Sequence, residues 1–268
     1  MHQLAGMYVR AKKHLGQHFL NDQNIAQNIV LALINQNCPQ TILEVGPGTG
    51  VLTKFLLQYP EKQIFVSEID TESIEYLKLH YVALGSNIIN QSFLEIDFSV
   101  FGSNQIAVIG NFPYNISSQI VFKILDNWQQ VPIMVGMFQK EVAMRLCAKP
   151  KTKDYGILTV LAQAFYDIEY LFTVPAHLFT PPPKVLSAVV RFTLKNSLPD
   201  CDYEILRKVV KTAFNQRRKK LRNALSVFGI SDEYLQPFLN QRAEELSLQD
   251  FITLTNLIKQ NSNGNKAG

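Results

Sequence analysis

The chain is poor in cysteine and tryptophan and has no long apolar run. Its three cysteines, Cys38, Cys147 and Cys201, are scattered through 268 residues with no C-x-x-C pair. That argues against a disulfide framework and against a zinc site. The five histidines show no metal-ligand spacing, so no metal is expected. No stretch approaches the roughly 20 apolar residues of a membrane span. Arg10, Lys12 and Lys13 lie near the start with no apolar signal core or cleavage site after them, so a cytoplasmic location and no membrane partner are expected. Net charge is only +4, which alone does not imply nucleic acid. There is no internal repeat and no legible oligomer interface, and a monomer is the default.

What is present is ordinary for a globular protein: 47% hydrophobic and 18% charged residues. The length suits one large domain and a small one. The distribution of charge says more than its sum. Arg207, Lys208, Lys211, Arg217, Arg218, Lys219, Lys220 and Arg222 fall in one stretch without an acid. The chain then turns acidic through Asp232, Glu233, Glu244, Glu245 and Asp250. Such a cluster is either a solvated helix face or a phosphate-binding surface.

The first 20 residues read as an extended basic arm. Asn21 is placed to cap a helix running to about Asn37. Thr41 to Val45 is a buried strand that runs into Gly46, Gly48 and Gly50, then a helix over 51–58. This turn offers a ligand close approach to main-chain N–H groups and to a helix N-terminus. Further strands are expected at 64–67, 87–91, 105–110, 133–138, 169–174 and 188–194. Helices are expected at 71–81, 117–128, 141–148 and 157–165. This alternation predicts an α/β, Rossmann-like doubly wound sheet. After Lys195 a polar connector with Pro199 leads to a segment read as helix throughout, including 232–239. The predicted organisation is a catalytic domain over 1–197, a helical domain over 198–260 and a disordered tail over 261–268.

In such a sheet, ligands sit at the C-terminal ends of the strands. Glu68 ends the second strand, about 20 residues past the glycine turn, where an acid binds ribose hydroxyls. The spacing Glu44-x-Gly46-x-Gly48-x-Gly50 is not the G-x-G-x-x-G of dinucleotide sites and favours S-adenosylmethionine. The fourth strand ends in Asn111-Phe112-Pro113-Tyr114. The lone pair of an adenine N6 amine is delocalised into the ring, so the amine is a poor nucleophile. Two acceptors holding its hydrogens favour a pyramidal nitrogen and free that pair. The Asn111 side-chain oxygen and the Phe112 carbonyl supply two acceptors, and Pro113 stiffens the turn. Tyr114 offers a face for an extruded base. No strong general base is needed, since the excess proton goes to water.

With these residues in hand, the chain resembles the ribosomal RNA adenine N6-dimethyltransferases, and within them the bacterial 16S branch, the kasugamycin-resistance methyltransferases. The motifs carrying the resemblance are G-Q-H-F-L (16–20), E-V-G-P-G-T-G (44–50), N-F-P-Y-N-I-S-S (111–118), Q-K-E-V-A (139–143), F-T-P-P-P-K-V (179–185), S-A-V-V-R (187–191) and F-N-Q-R-R-K-K-L-R-N-A-L (214–225). They cover nearly the whole length in the family's order.

The resemblance implies transfer of four methyl groups from S-adenosylmethionine to two adjacent adenines near the 3′ end of 16S rRNA, in an assembling small ribosomal subunit. It implies that His18 and Leu20 border the methionine end and the methyl group, that Gly46 borders the methionine moiety, that Gly48 also belongs to the cofactor site, and that Glu68 holds the ribose. Asn111 would lie between cofactor and target amine. Arg217, Arg218, Lys220 and Arg222 would meet rRNA phosphates, beside an apolar stripe of Phe214, Leu221, Leu225 and Phe228.

Two positions depart from the family. Ser92 stands where an Asp usually accepts a hydrogen bond from the cofactor's adenine amine, and Leu186 where Asp usually follows P-P-P-K-V. An uncharged hydroxyl at Ser92 makes a weaker bond. Two rival readings remain: a 23S rRNA dimethyltransferase of the macrolide-resistance type, and a non-enzymatic small-subunit assembly factor that keeps the fold and its RNA surface.

Overall fold

The computed structural model of the chain describes residues 9–216, 219–233 and 235–264. They fall into two units: Met1–Ala143 with Glu169–Leu194, and Met144–Ile168 with Lys195–Gly268.

In chain order the first unit contains β1 (Phe19–Leu20), α1 (Gln23–Ile34), β2 (Thr41–Val45), α2 (Thr53–Leu56), β3 (Gln63–Ser67), α3 (Thr71–His80), β4 (Ile88–Ile89), β5 (Ile106–Asn111), α4 (Ser117–Asp126) and β6 (Ile133–Gln139). Then α5 (Lys140–Leu146) and α6 (Ile157–Phe165) precede β7 (Tyr166–Val174), β8 (Phe179–Thr180) and β9 (Ser187–Leu194). Seven strands form one sheet in the order β4-β3-β2-β5-β6-β9-β7. The pairs from β4 to β6 are parallel. β9 runs antiparallel to β6, from Ile133 opposite Thr193 to Gln139 opposite Ser187. The sheet is therefore mixed at one edge.

Every residue of β2 is buried, as expected for a parallel strand covered on both faces. Ile29 and Leu33 of α1 join Ile42, Ala107, Ile133 and Val135 in the core beneath it. The chain goes from β2 outward through β3 and β4, then returns to place β5 on β2's other side. The order thus reverses between β2 and β5, the point where open α/β sheets bind ligands. Val45 and Asn111 end those two strands.

Local details differ from the sequence expectations. Asp22, not Asn21, caps α1, its carboxylate accepting the Ile25 N–H at 2.9 Å. Asn21 is instead drawn away to the Thr180 hydroxyl at 2.7 Å. The arm is not simply extended: Lys13–Leu15 make a 3-10 turn closed by Gly16 in the left-handed conformation. Phe19 and Leu20 then pair antiparallel with Thr180 and Phe179. The helix expected over 51–58 shrinks to the four residues of α2, and the strand over 87–91 to two residues.

The second unit holds α6 together with α7 (Tyr203–Asn215), α8 (Leu221–Ala224) and α9 (Leu248–Gly264). Residues 144–168, read from sequence as part of the 1–197 domain, belong here. The reason is apolar contact: α6 is buried from Thr159 to Ala162 and again at Ala164 and Phe165. Phe165 packs edge-on against Tyr203 at 5.2 Å, and Phe214 stacks on Phe251 at 5.8 Å. Asp202 caps α7 through the Ile205 N–H at 3.1 Å.

The expected helix over 232–239 is absent. Residues 232–233 and 235–240 form successive turns, since Pro237 removes an interior N–H and its ring crowds the preceding turn. Residues 261–264, expected as disordered tail, continue α9; 265–268 lie outside the described residues.

Candidate active site

One cleft in the first unit gathers most of the residues singled out from sequence. It encloses about 680 Å³, part of it open to solvent, and is lined by His18, Gly46, Gly48, Glu68, Ser92 and Asn111 together with Phe112, Pro113 and Tyr114. Leu20 does not line it. It is buried, at 3% exposure, and borders a smaller neighbouring recess with Glu44, Thr49 and Asn111.

The glycine turn works differently from the sequence expectation. Its N–H groups are engaged inside the protein: Gly46 on the Ser67 carbonyl at 2.9 Å, Gly48 on the Glu68 carboxylate at 3.1 Å, and Gly50 on the Pro47 carbonyl at 2.8 Å. The following helix has only four residues, too few to focus a useful dipole. The glycines serve by lacking side chains. A Cβ on Gly48 would stand 2.7 Å from the Phe19 ring, and both Gly46 and Gly48 have positive φ. A smooth backbone wall is what remains for a ligand to lie against.

Glu68 is 4% exposed. Its Oε1 accepts the Ile69 N–H at 2.8 Å and the Asp70 N–H at 3.0 Å, while Oε2 accepts Gly48. Burial raises its pKa, and these N–H donors oppose that rise. A carboxylate has about four lone-pair positions, so three bonds leave one on Oε2 for a hydroxyl donor.

Glu44, one turn behind, is fully buried and accepts the Thr53 hydroxyl at 2.6 Å. Burial pushes its pKa up to about 8, helped by the nearby Glu68 charge and opposed by Thr53. Burial thus favours its protonated form. Its place in E-V-G-P-G-T-G was visible in the sequence, but its ionisation state was not.

Asn111 ends β5. Its side-chain nitrogen donates to the His18 carbonyl at 2.8 Å, which fixes the carboxamide's rotation and leaves Oδ1 as an acceptor. The arm that carries His18 thus orients the residue expected to do the chemistry. The Phe112 N–H is held by the Met137 carbonyl at 3.1 Å. Its ring is 1% exposed and packs edge-on against Phe138 at 5.1 Å. The side chain is thus an anchor beneath the cleft, and any polar contact Phe112 offers a ligand must come from its backbone carbonyl. Gly136 on β6 makes the room: a Cβ there would collide with the Phe112 ring.

Tyr114 bonds its hydroxyl to Ser187 at the start of β9. One face of its ring carries the His18 imidazole, stacked at 5.3 Å between centroids and 28° between planes. His18 in turn holds the Pro181 carbonyl through Nδ1 at 2.7 Å. A base would therefore use the remaining face of Tyr114.

Ser92 lines the cleft while its oxygen accepts the Leu94 N–H at 3.3 Å. Its second lone pair is left for a ligand amine. Asp97 is not a substitute; it caps the next turn through the Ser99 N–H at 2.9 Å. Sequence reasoning missed Phe19, Ile69, Gln91 and Phe93, which also line the cleft. Each adjoins a residue that was found, and the sequence carries no signal of which way such a neighbour faces.

These residues fit S-adenosylmethionine. An acid suits the ribose, Ser92 with Phe93 an adenine, and the bare Gly46 edge beside Asn111 the methionine end. Among the described residues, no group of three or more His, Cys, Asp or Glu is arranged to hold a metal.

The RNA-binding expectations fall in the second unit. Arg217 and Arg218 lie outside the described residues. Lys220 is exposed, with Nζ 3.3 Å from the Asn240 side chain. Arg222 pairs with Asp232 at 3.1 Å, both more than half exposed, a contact worth little in water.

A parallel-centred sheet with a glycine turn, a buried acid at the next strand end and N-F-P-Y at its switch point defines a methyltransferase of the Rossmann-like, S-adenosylmethionine-dependent class. Comparison with known proteins narrows this. The family model described as ribosomal RNA adenine dimethylase matches residues 8–260, and the chain belongs to that family. It is 53% identical over 253 residues to the ribosomal RNA small subunit methyltransferase A of Cytophaga hutchinsonii, covering 93% of this chain and 98% of that one. The protein of the same name from Parabacteroides distasonis is 49% identical over 265 residues, covering 97% and 98%.

Two solved structures share the fold. A dimethyladenosine transferase from Plasmodium falciparum has a TM-score of 0.78 at 24% identity, covering 92% of this chain and 98% of that one. The 23S rRNA methyltransferase ErmE has 0.64 at 23%, covering 90% and 100%.

Proposed function

We propose that this chain uses S-adenosylmethionine to dimethylate N6 of two adjacent adenines near the 3′ end of 16S rRNA, acting in the cytoplasm on the immature small subunit. The observation that carries the reading is the Asn111 carboxamide, turned by the His18 carbonyl so that Oδ1 is its free acceptor, in the same cleft as Glu68. The small-subunit name of relatives at about half identity favours 16S over 23S RNA.

When bound, the cofactor supplies an electrophilic methyl group. The protein's own residues do the rest. Glu68 Oε2 and Ser92 hold the nucleoside end in place. Asn111 Oδ1 and the Phe112 carbonyl accept the two hydrogens of the adenine amine and pyramidalise its nitrogen. The anchored Phe112 ring and Pro113 keep those acceptors rigid, so the positioning cost is met during folding. The free face of Tyr114 stacks on the extruded base. The proton leaves to water, and no side chain in the cleft has to act as a strong base.

The test is radiolabelled methyl transfer to purified ribosomal subunits that lack the modification. Label entering small subunits, with four methyl groups in the 3′ region, is the expected result. Label entering only large-subunit RNA would move the assignment to the macrolide-resistance type. Small-subunit binding with no label at all would leave an assembly factor.

A further inference from the structure

The loop between α5 and α6 carries lysine at every second position, Lys149, Lys151 and Lys153, all three exposed. Nothing in the proposed reaction uses them. Lys151 is the only non-glycine residue with positive φ among the described residues, at 68°. Glycine takes that conformation freely and a side-chain-bearing residue does not. A lysine at that position is therefore not explained by the backbone.

The loop is nonetheless fixed. The Lys149 carbonyl accepts both the Thr152 hydroxyl at 2.7 Å and the Thr152 N–H at 3.3 Å. The Tyr155 N–H closes a second turn on the Thr152 carbonyl at 3.3 Å, and Tyr155 itself is buried.

A shared attachment joins this loop to the basic stretch further along the chain. The Lys151 N–H donates to the Glu244 carbonyl at 2.8 Å. Three residues earlier on that segment, the Gln241 carbonyl accepts the Leu221 N–H at 2.9 Å. Leu221 sits between Lys220 and Arg222. Three residues of chain span at most about 11 Å, which with the two hydrogen-bonded pairs puts the Lys151 and Leu221 backbones within about 21 Å of each other. Lys219 and Arg242 are exposed on the same stretches. Acids lie here too: Asp154, Asp232, Glu244 and Glu245. Asp232 is held by Arg222, and the Glu245 carboxylate accepts the Arg242 N–H at 2.6 Å.

We propose that the 149–153 loop is a second RNA-backbone contact, continuous with the cations at 219–222, that grips rRNA phosphates without reading bases. The proposal rests on the functional reading above and adds to it a surface outside the cleft.

The test is binding of the triple variant K149A/K151A/K153A to unmethylated small subunits across a salt series, beside the wild-type protein. Each phosphate that the protein no longer neutralises takes away part of the salt dependence. The expected result is roughly tenfold weaker binding at low salt and a shallower slope, by about 2, with S-adenosylmethionine affinity unchanged. Lys151→Gly separates charge from backbone. It should raise Tm by relieving the left-handed residue, yet weaken subunit binding about threefold. Unchanged affinity and slope in the triple variant would overturn the proposal. Should the triple variant fail to fold, a Lys151→Gly protein with higher Tm and wild-type affinity would overturn it instead. A wild-type protein that binds small subunits without methylating them would sink the functional reading and leave the loop to be judged by its salt slope.

Discussion

The cleft and the basic surface solve different problems with different chemistry. The cleft is buried and rigid, and single atoms matter in it: the Asn111 nitrogen on the His18 carbonyl, the Phe112 ring filling the space above Gly136, the Glu68 carboxylate on three N–H groups. In the second unit Lys220 and Arg222 are exposed and make long or solvent-screened contacts, at 3.3 Å and 3.1 Å. Preorganised geometry makes a large contribution through one group. Screened charge makes a modest one through many. Substitutions in the first region should therefore act steeply and singly, and in the second shallowly and in sum.

The steepest expected effect is Asn111→Ala. On the proposed mechanism it removes the acceptor for the reacting amine as well as the bond to His18, and kcat should fall about 10²–10³-fold, with subunit affinity little changed. Methyl transfer at the wild-type rate would break the comparison at its strongest point.

Next is Glu44→Gln. The folded-state pKa of about 8 lies above the usual 4.5. Between those values the native state keeps a proton that the unfolded state releases, so wild-type stability falls as pH rises through this window. Glutamine keeps an acceptor for Thr53 and cannot ionise. The variant's advantage in thermal unfolding should be small at pH 5 and grow by a few kcal/mol by pH 8. Parallel pH profiles for the two proteins would show that burial does not control this acid.

Smaller again is Ser92→Asp. Aspartate can keep the cap on Leu94 and add charge to the bond with an adenine amine. Cofactor Kd should tighten about tenfold, from a gain of about 1–2 kcal/mol. Calorimetric titration giving the same Kd would remove Ser92 from the adenine site.

The smallest effect is expected from Arg222→Ala alone, about twofold or less in subunit affinity. Removing Arg217, Arg218 and Arg222 together should weaken subunit binding and flatten its salt slope while cofactor affinity holds. A single arginine carrying most of the binding would erase the contrast between the two regions.

Much of the cleft was legible in the sequence because its requirements are local. A strand buried on both faces is largely apolar, and a turn on which a ligand lies close is short of Cβ atoms. An acid at the next strand end and N-F-P-Y after a further strand then mark the two sides of the switch point. The small helical unit was harder to delimit. Helix periodicity in 157–165 says that the segment is buried but not against what, and α6 went to the C-terminal unit because its neighbours there are Tyr203 on α7 and residues near it. Likewise, apolar spacing over 232–239 suggested a helix that Pro237 does not allow.

The sequence by itself determined the alternation of strands and helices, the identity of the chemical groups and the family. Those follow from side-chain pattern and from motifs a few residues long. Only the tertiary structure decided that the glycine N–H groups face inward to Ser67, Glu68 and Pro47, that His18 covers one face of Tyr114, and that Phe112 is an anchor rather than a reactant. The burial that raises the Glu44 pKa belongs with these. Each depends on which distant groups share a space and on how much water is left there, and neither is written in the order of residues along a chain.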